Sequence, residues 1–490
     1  MASILSAAER EFFREVSDAA FANPFSPRRQ ELDTKIAGGI LREPERVQRL
    51  LGAITPRIAK LEQAGKAHLK HFRGEEQVMM RNAFLFEMYH AHCDGLDELI
   101  VEQLKAGDAP CTVRFAREAL AALSRRGFAE SNALRFFSIF FQLRRAYYFI
   151  VHGLQGDSAS MHELRRHLWN NVFTHDIRWY EKYLWNRLED FSTLLLGETG
   201  TGKGAAAAAI GRAGFIPYDA SRSRFVESFT RSFISLNLSQ FPETLIESEL
   251  FGHKRGAFTG AVEAHEGIFS RCSAHGSIFL DEIGDASVPV QIKLLQVLQD
   301  RAFSPVGSHE KLRFKGRVIA ATNRSLEELR VRKLFRDDFF YRLCSDVITV
   351  PSLRQRLLEC PEELHVLLAS LVQRMTGETG SELIGFVRER LIVSLGEHYE
   401  WPGNVRELEQ AVRRVLITGS YEPRRAAERD FADGLSRRMR DGSIDADELL
   451  STFCGMLHER FGTFEEVARR ANLDARTVKR YLAQKRAVFQ

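Results

Sequence analysis

The residues best suited to chemistry are the run Gly197-Glu198-Thr199-Gly200-Thr201-Gly202-Lys203. Its glycines let successive backbone N–H groups turn inward onto the oxygens of a phosphate chain. Lys203 closes the run, where an ammonium reaches the terminal phosphates. The Ala-rich stretch Ala205–Ile210 reads as a helix whose N-terminus adds positive potential. Gly204 stands where such loops usually carry Ser or Thr, so this position offers no hydroxyl to a metal ion. A second chemical pair, Asp281-Glu282, ends the apolar run Ser277-Ile-Phe-Leu280. Neighbouring carboxylates at the end of a buried strand divide the work of phosphoryl transfer. Asp281 would sit in the shell of a nucleotide-borne Mg2+, and Glu282 would orient the attacking water. The two motifs together predict ATP binding and hydrolysis.

Such residues need a sheet to hold them. Ser192–Leu196, Phe233–Leu236, Ser277–Leu280 and Arg317–Ala321 each read as a buried strand followed by a loop and a helix. That alternation over residues 155–360 predicts a parallel sheet covered by helices. Residues 361–420 read as helical, 421–445 as an Arg-rich linker, and 446–490 as three short helices. Residues 1–154 read as a helical domain, with apolar positions three and four apart in Leu85, Met88, Tyr89 and His92. The expected class is therefore multidomain α/β plus all-α. At 490 residues, 44% hydrophobic and 27% charged, the chain is too long for one ordinary core and too apolar for wholesale disorder. A net charge of +4 demands no polyanion, yet leaves room for a locally basic module. Six scattered cysteines, no signal-like start and no apolar run of spanning length predict a cytoplasmic protein without a membrane segment.

Between the two motifs lies Gly256-Ala257-Phe258-Thr259-Gly260-Ala261, and with it the chain resembles the AAA+ activators of the sigma-54 RNA polymerase. The resemblance covers roughly residues 155–420. It implies an AAA+ P-loop ATPase with a helical lid, and a loop at 256–261 that contacts the sigma factor. It further implies that Asn237 is a switch restraining Glu282, and that Asn323 in Val-Ile-Ala-Ala-Thr-Asn reads the γ-phosphate. Arg336 and Arg342 would be arginine fingers, and Arg406 in Trp401-Pro-Gly-Asn-Val-Arg the lid sensor. A guanidinium from a neighbouring subunit neutralises charge building on the transferred phosphoryl group. The implied assembly is a homo-oligomer, a hexamer, acting on the sigma-54 RNA polymerase holoenzyme.

Thr463–Leu482 fits a helix-turn-helix for double-stranded upstream DNA. Ala468 suits a close helix approach, Asn472 the turn, and Asp474 the cap of the second helix. Leu473, Val478 and Tyr481 or Leu482 would be buried, leaving Arg476, Thr477, Lys479, Arg480 and Gln484 to face DNA. At the N-terminal end, His68, His71, Glu87, His90, His92 and Cys93 invite a metal reading. The second Glu-x-x-His pair of a carboxylate-bridged bundle is missing, so interfacial histidines are expected instead. Residues 171–190 and 215–230 lengthen the usual pattern and are expected to be tolerated surface insertions. Two rival functions remain: a protein-remodelling AAA+ ATPase, and a non-activating DNA-binding regulator of the same ancestry. Intact 256–261 and Asp281-Glu282 argue against the second, and the first would need neither a helix-turn-helix nor the 256–261 motif.

Overall fold

The computed structural model describes residues 4–39, 45–187, 190–331, 334–378, 380–422, 439, 442 and 444–488, with backbone alone at 330, 459–460 and 483–488. The chain divides into two compact units, Met1–Tyr421 and Glu422–Gln490. The expected linker at 421–445 falls mostly outside the described residues.

The first unit opens with seven helices, α1 (Ala7–Phe21), α2 (Pro27–Ala37), α3 (Arg46–Gln63), α4 (Gly74–Ala91), α5 (Cys93–Ala106), α6 (Ala116–Arg125) and α7 (Glu130–Gly153). Local chemistry sets their starts. Ser6 and Glu9 form a reciprocal capping box on α1, and Ser26 caps α2 with Pro27 at its first position. After α8 (Ala159–Phe173), strand β1 (Thr193–Leu196) leads through the phosphate loop into α9 (Lys203–Gly211). There follow β2 (Tyr218–Asp219), β3 (Arg224–Phe225), β4 (Phe233–Asn237), α10 (Glu243–Phe251), β5 (Ser277–Asp281) and α11 (Val288–Asp300). Next come β6 (Ala302–Phe303), β7 (Leu312–Arg313), β8 (Arg317–Thr322), α12 (Asp337–Leu343) and β9 (Asp346–Thr349). Four lid helices complete the unit: α13 (Leu353–Glu359), α14 (Glu363–Thr376), α15 (Ser381–Leu395) and α16 (Asn404–Thr418).

The main sheet is parallel, in the order β4-β5-β8-β1-β9. β1, β4, β5 and β8 are the strands expected from sequence. β9 was not anticipated, because this edge strand buries only Ile348 and carries too short an apolar run to stand out. Helices cover both faces of the sheet, so β8 is buried at all six positions, with the apolar run Val318–Ala321 between Arg317 and Thr322.

The N-terminal helices share one core with the sheet. That core runs from Leu5 to Val350 and includes Phe137, Phe141, Ala207, Phe229 and Ile319. The long helix α7 lies along α9 and is clamped to its C-terminal end. Gln142 donates to the Ala213 carbonyl at 2.8 Å, and fully buried Arg145 donates to those of Arg212 and Gly214. The hairpin β2–β3 brings Phe225 to 4.2 Å from the Phe141 ring, and Tyr218 to 4.9 Å from Phe137. Just before β1, Tyr180 is fully buried and its hydroxyl donates to Gln142 at 2.7 Å.

These contacts correct the expectation of surface insertions. Residues 171–190 and 215–230 bind the N-terminal helices to the ATPase sheet, and their aromatic side chains form the join. Of Trp179, Tyr180, Tyr183 and Trp185, only Trp179 and Tyr183 turn to solvent.

The second unit contains α17 (Ala446–Phe461), α18 (Phe464–Ala471) and α19 (Ala475–Val488). Its core is Cys454, Val467, Val478 and Tyr481, with Ala468, Leu473 and Leu482 packed against it. Asn472 adopts the left-handed conformation (φ 52°) that its place between α18 and α19 requires.

Candidate functional site

Because β4, β5, β8 and β1 run parallel, their carboxyl ends present Asn237, Asp281-Glu282, Asn323 and the Gly197–Lys203 loop side by side. Asn237 and Asp281 are direct partners in register. This edge faces a cleft of about 400 Å³, lined by Thr199–Ala205, Asn237, Asp281, Glu282 and, from the lid, Arg374 and Arg406.

The loop's shape needs its glycines. Gly200 has φ 82°, and a Cβ there would lie 2.3 Å from the Gly403 carbonyl oxygen. Only a residue without a side chain lets loop and lid meet so closely. Lys203 is buried, and its ammonium donates to the carbonyls of Gly197 (2.7 Å) and Glu198 (3.1 Å), which fixes it beneath the loop. Burial lowers the pKa of Lys203, and the nearby Glu282 and Asp281 oppose that shift.

Glu282 has φ 54°, a left-handed turn straight after the strand. Burial raises its pKa above the ordinary carboxylate value; the Lys203 charge and the backbone N–H of Asn323 work the other way. The Asn323 side chain also donates to Thr199 Oγ1 at 3.3 Å, tying the end of β8 to the phosphate loop. Asn237 accepts from its neighbour Ser239 N–H at 2.9 Å through its side-chain oxygen.

Arg336 and Arg342 are not among the described residues lining the cleft. Arg336 is paired with Asp338 at 2.8 Å, and Arg342 donates to the Leu298 carbonyl at 2.9 Å. Sequence reasoning missed Asn404. Its side chain accepts from Leu353 N–H at 2.7 Å and donates to Glu198 Oε2 and the Thr199 carbonyl, both at 3.1 Å, so one amide pins the lid to the loop. The Trp401-Pro-Gly-Asn404 turn was the available signal, since an Asn at φ 53° is a position chosen for more than packing. Also missed was Glu363. It is fully buried, ion-paired with Arg356, and accepts from the N–H groups of Asp157 (2.8 Å) and Ser158 (2.7 Å).

The residues present fit a nucleotide triphosphate with Mg2+. A bent N–H-rich loop, one fixed ammonium and cationic Arg374 and Arg406 face the carboxylates of Asp281 and Glu282 across one cleft. Gly204 has no hydroxyl to offer a metal, so Asp281 is the side chain that would hold one.

The loop from Gly256 to Ala261 is closed on itself, with Gly256 N–H donating to the Ala261 carbonyl at 2.8 Å and Ala261 N–H to that of Phe258 at 3.0 Å. Gly256 (φ 79°) and Gly260 (φ 101°) make the two bends. Thr259 is exposed, Phe258 is 39% exposed with its ring 4.9 Å from that of His253, and Ala257 packs beside Gly307.

In the separate C-terminal unit, Arg476, Lys479 and Arg480 are exposed along α19. Thr477 is half-buried and its hydroxyl donates to Asp474 at 2.6 Å, as part of the cap of that helix. The side chain of Gln484 lies outside the described residues.

Among the N-terminal histidines, His68 Nδ1 accepts from Lys70 N–H at 3.0 Å and His92 stacks on Phe115. Burial drives His90 down to about 3, so its ring is neutral, bonded to the Phe86 carbonyl and to Arg29. Glu87 is ion-paired with Arg126 at 2.7 Å.

A parallel sheet with a phosphate loop after β1, an Asp-Glu pair after β5 and a four-helix lid defines an AAA+ ATPase domain. Residues 178–349 match the Sigma-54 interaction domain, and residues 359–439 the AAA+ ATPase lid domain. Residues 178–349 and 359–439 are thus a sigma-54 interaction domain and its AAA+ lid. The lid match runs past the expected boundary at 420.

Among similar proteins, the hydrogenase transcriptional regulatory protein HoxA of Cupriavidus necator is 38% identical over 57% of this chain and 54% of its own. The regulatory protein AtoC of Escherichia coli is 37% identical over 48% and 46%. The Nif-specific regulatory protein of Azotobacter vinelandii is 42% identical over 46% and 40%. The chain thus spans about half the length of the curated relatives it matches or less. No helix among the described residues is long and apolar enough to cross a membrane.

Proposed function

We propose that this protein hydrolyses ATP to remodel the closed complex of the sigma-54 RNA polymerase holoenzyme in the cytoplasm, from an upstream site on double-stranded DNA. The observation that carries this reading is one compact unit holding both the Lys203–Asp281–Glu282 cleft and the Gly256–Ala261 loop, within residues that match the Sigma-54 interaction domain.

In the proposed cycle the loop N–H groups and Lys203 bind the phosphates, and Arg406 senses them from the lid. Asp281 holds Mg2+ when it arrives with nucleotide. Glu282 takes a proton from the attacking water, and Asn237 gives up its bond to Ser239 to restrain Glu282 between turnovers. Arg336 and Arg342 leave Asp338 and the Leu298 carbonyl to reach the γ-phosphate of the next subunit in a homo-hexamer. The changes at the edge of β4 and β5 release Phe258 from His253, so that Phe258 and Thr259 engage the sigma factor. The exposed Arg476, Lys479 and Arg480 make the phosphate and base contacts of a helix-turn-helix, with Gln484 further along the same helix.

In vitro transcription from a sigma-54 promoter tests this. Open complexes are expected with ATP and absent with a non-hydrolysable analogue. Equal output with either nucleotide, or none with both, would sink the reading.

A further inference from the structure

A second cavity, about 630 Å³, lies among the N-terminal helices, bounded by α1–α5, α7 and α8. Its size falls within the range of small-molecule sites. The wall is largely apolar and aromatic, with Leu51, Phe86, Phe140, Leu143 and Trp169 among its residues.

Apart from Asp94, which is exposed, its ionic side chains are already paired. Arg29 and Arg46 share Asp33, Arg144 holds Asp97, and Glu181 takes both Arg81 and Arg135. His90 is neutral and uses both ring nitrogens. A charged ligand would find no free counter-ion among these pairs, and the cost of stripping its water would go unreturned. One polar group remains. Trp169 is 3% exposed, and its indole N–H is the one buried side-chain N or O atom of this wall, among the described residues, that has no hydrogen-bond partner. Native proteins rarely leave such a donor unpaired.

Helix α7 joins this cavity to the nucleotide cleft. It is about 36 Å long at 1.5 Å per residue. Phe140 and Leu143 line the cavity, His152 borders both spaces, and Gly153 and Leu154 border the cleft. Between them Gln142 and Arg145 fasten the helix to the end of α9, the helix that begins at Lys203.

We propose that this cavity is a binding site for a neutral, largely apolar small molecule bearing one hydrogen-bond-accepting oxygen, and that α7 carries its occupancy to the phosphate loop. The second half rests on the reading of the cleft as a nucleotide site.

The test uses the full chain and Prodan, a neutral naphthyl ketone whose emission shifts to the blue in apolar surroundings. Saturable binding at one site per chain is expected. Leu143→Trp, which fills the cavity, should weaken binding at least tenfold. Leu51→Phe, from a different helix, is the milder filling variant should the first fail to fold. Trp169→Phe keeps the apolar wall but removes the donor, and should weaken binding roughly two- to tenfold. Trp179→Ala, on the exposed surface, should change nothing.

Non-saturable binding, or binding lost in Trp179→Ala and kept in both filling variants, overturns the site. At saturating Prodan the affinity for ATP should change about fivefold or more, in either direction. An unchanged affinity overturns the coupling. A chain that takes up Prodan but no ATP under any condition refutes the nucleotide reading and leaves the cavity standing.

Discussion

The Glu282 carboxylate must be ionised to draw a proton from water, and its burial opposes ionisation. Burial raises its pKa above the ordinary carboxylate range, so the ionised fraction falls while pH is still above the range of an exposed glutamate. Hydrolysis should therefore decline on an acid limb that begins above that range and rise with pH through it. Glu282→Gln should bind ATP normally, hydrolyse it about 100-fold or more slowly, and lose that limb. A pH–rate profile with tight nucleotide binding checks all three. Lys203→Ala should fail earlier, at binding, because no other lysine among the described residues lines the cleft. Phe258 belongs to a different step. Burying an exposed aromatic ring in a partner stabilises a complex by roughly 1.5–3 kcal/mol. Phe258→Ala and Thr259→Ala should keep ATP turnover and DNA binding yet lose open-complex formation, measured by permanganate footprinting. Wild-type transcription from both variants would remove the loop as the coupling device.

Among elements, α13 and α14 join the lid to the segment that follows α7 through one buried pair. Arg356 and Glu363 are 3% and 0% exposed, and Arg356 also donates to the Gln155 carbonyl at 2.6 Å. Removing one member leaves the other charge buried without compensation, so Arg356→Ala should cost about 3–5 kcal/mol in denaturant unfolding. The paired change to well-packed apolar residues should recover much of that loss. This pair was hidden in the sequence because its partners lie two hundred residues from the Gln155–Ser158 turn and match no motif. The strands β1, β4, β5 and β8 were legible, since each holds a short apolar run followed by a loop and a helix, and the phosphate loop and Asp281-Glu282 sit at their ends. The hairpin β2–β3 was not. Its two-residue strands are too short for a period, and Phe225 and Phe229 are buried by α7, an element ninety residues away. The cap of α19 and the turn at Asn472 were legible because Asp474 and Asn472 act through their own backbone neighbours.

For the whole molecule, the proposed hexamer makes each nucleotide site a shared one. A Lys203→Ala subunit cannot bind ATP, and an Arg342→Ala subunit cannot complete its neighbour's site. Mixing the two should restore part of the hydrolysis at boundaries where intact Lys203 meets intact Arg342. Specific activity should also rise with protein concentration. Full activity from a monomer at all dilutions would dismiss the shared site. The single core that runs from Leu5 to Val350 has a further consequence, in the order of synthesis. The ribosome releases α7, with Phe137, Phe141 and Phe149, well before the Tyr218–Phe229 segment that covers those rings. At about 5–20 residues per second the nascent helices wait roughly 4–15 s for that segment, and longer for β8 and β9. Through that interval an aromatic surface stands uncovered on a tethered chain. The N-terminal helices therefore cannot mature as a free-standing cassette. Their fate during translation depends on how quickly elongation delivers the sheet, and on a chaperone to shield them until it does.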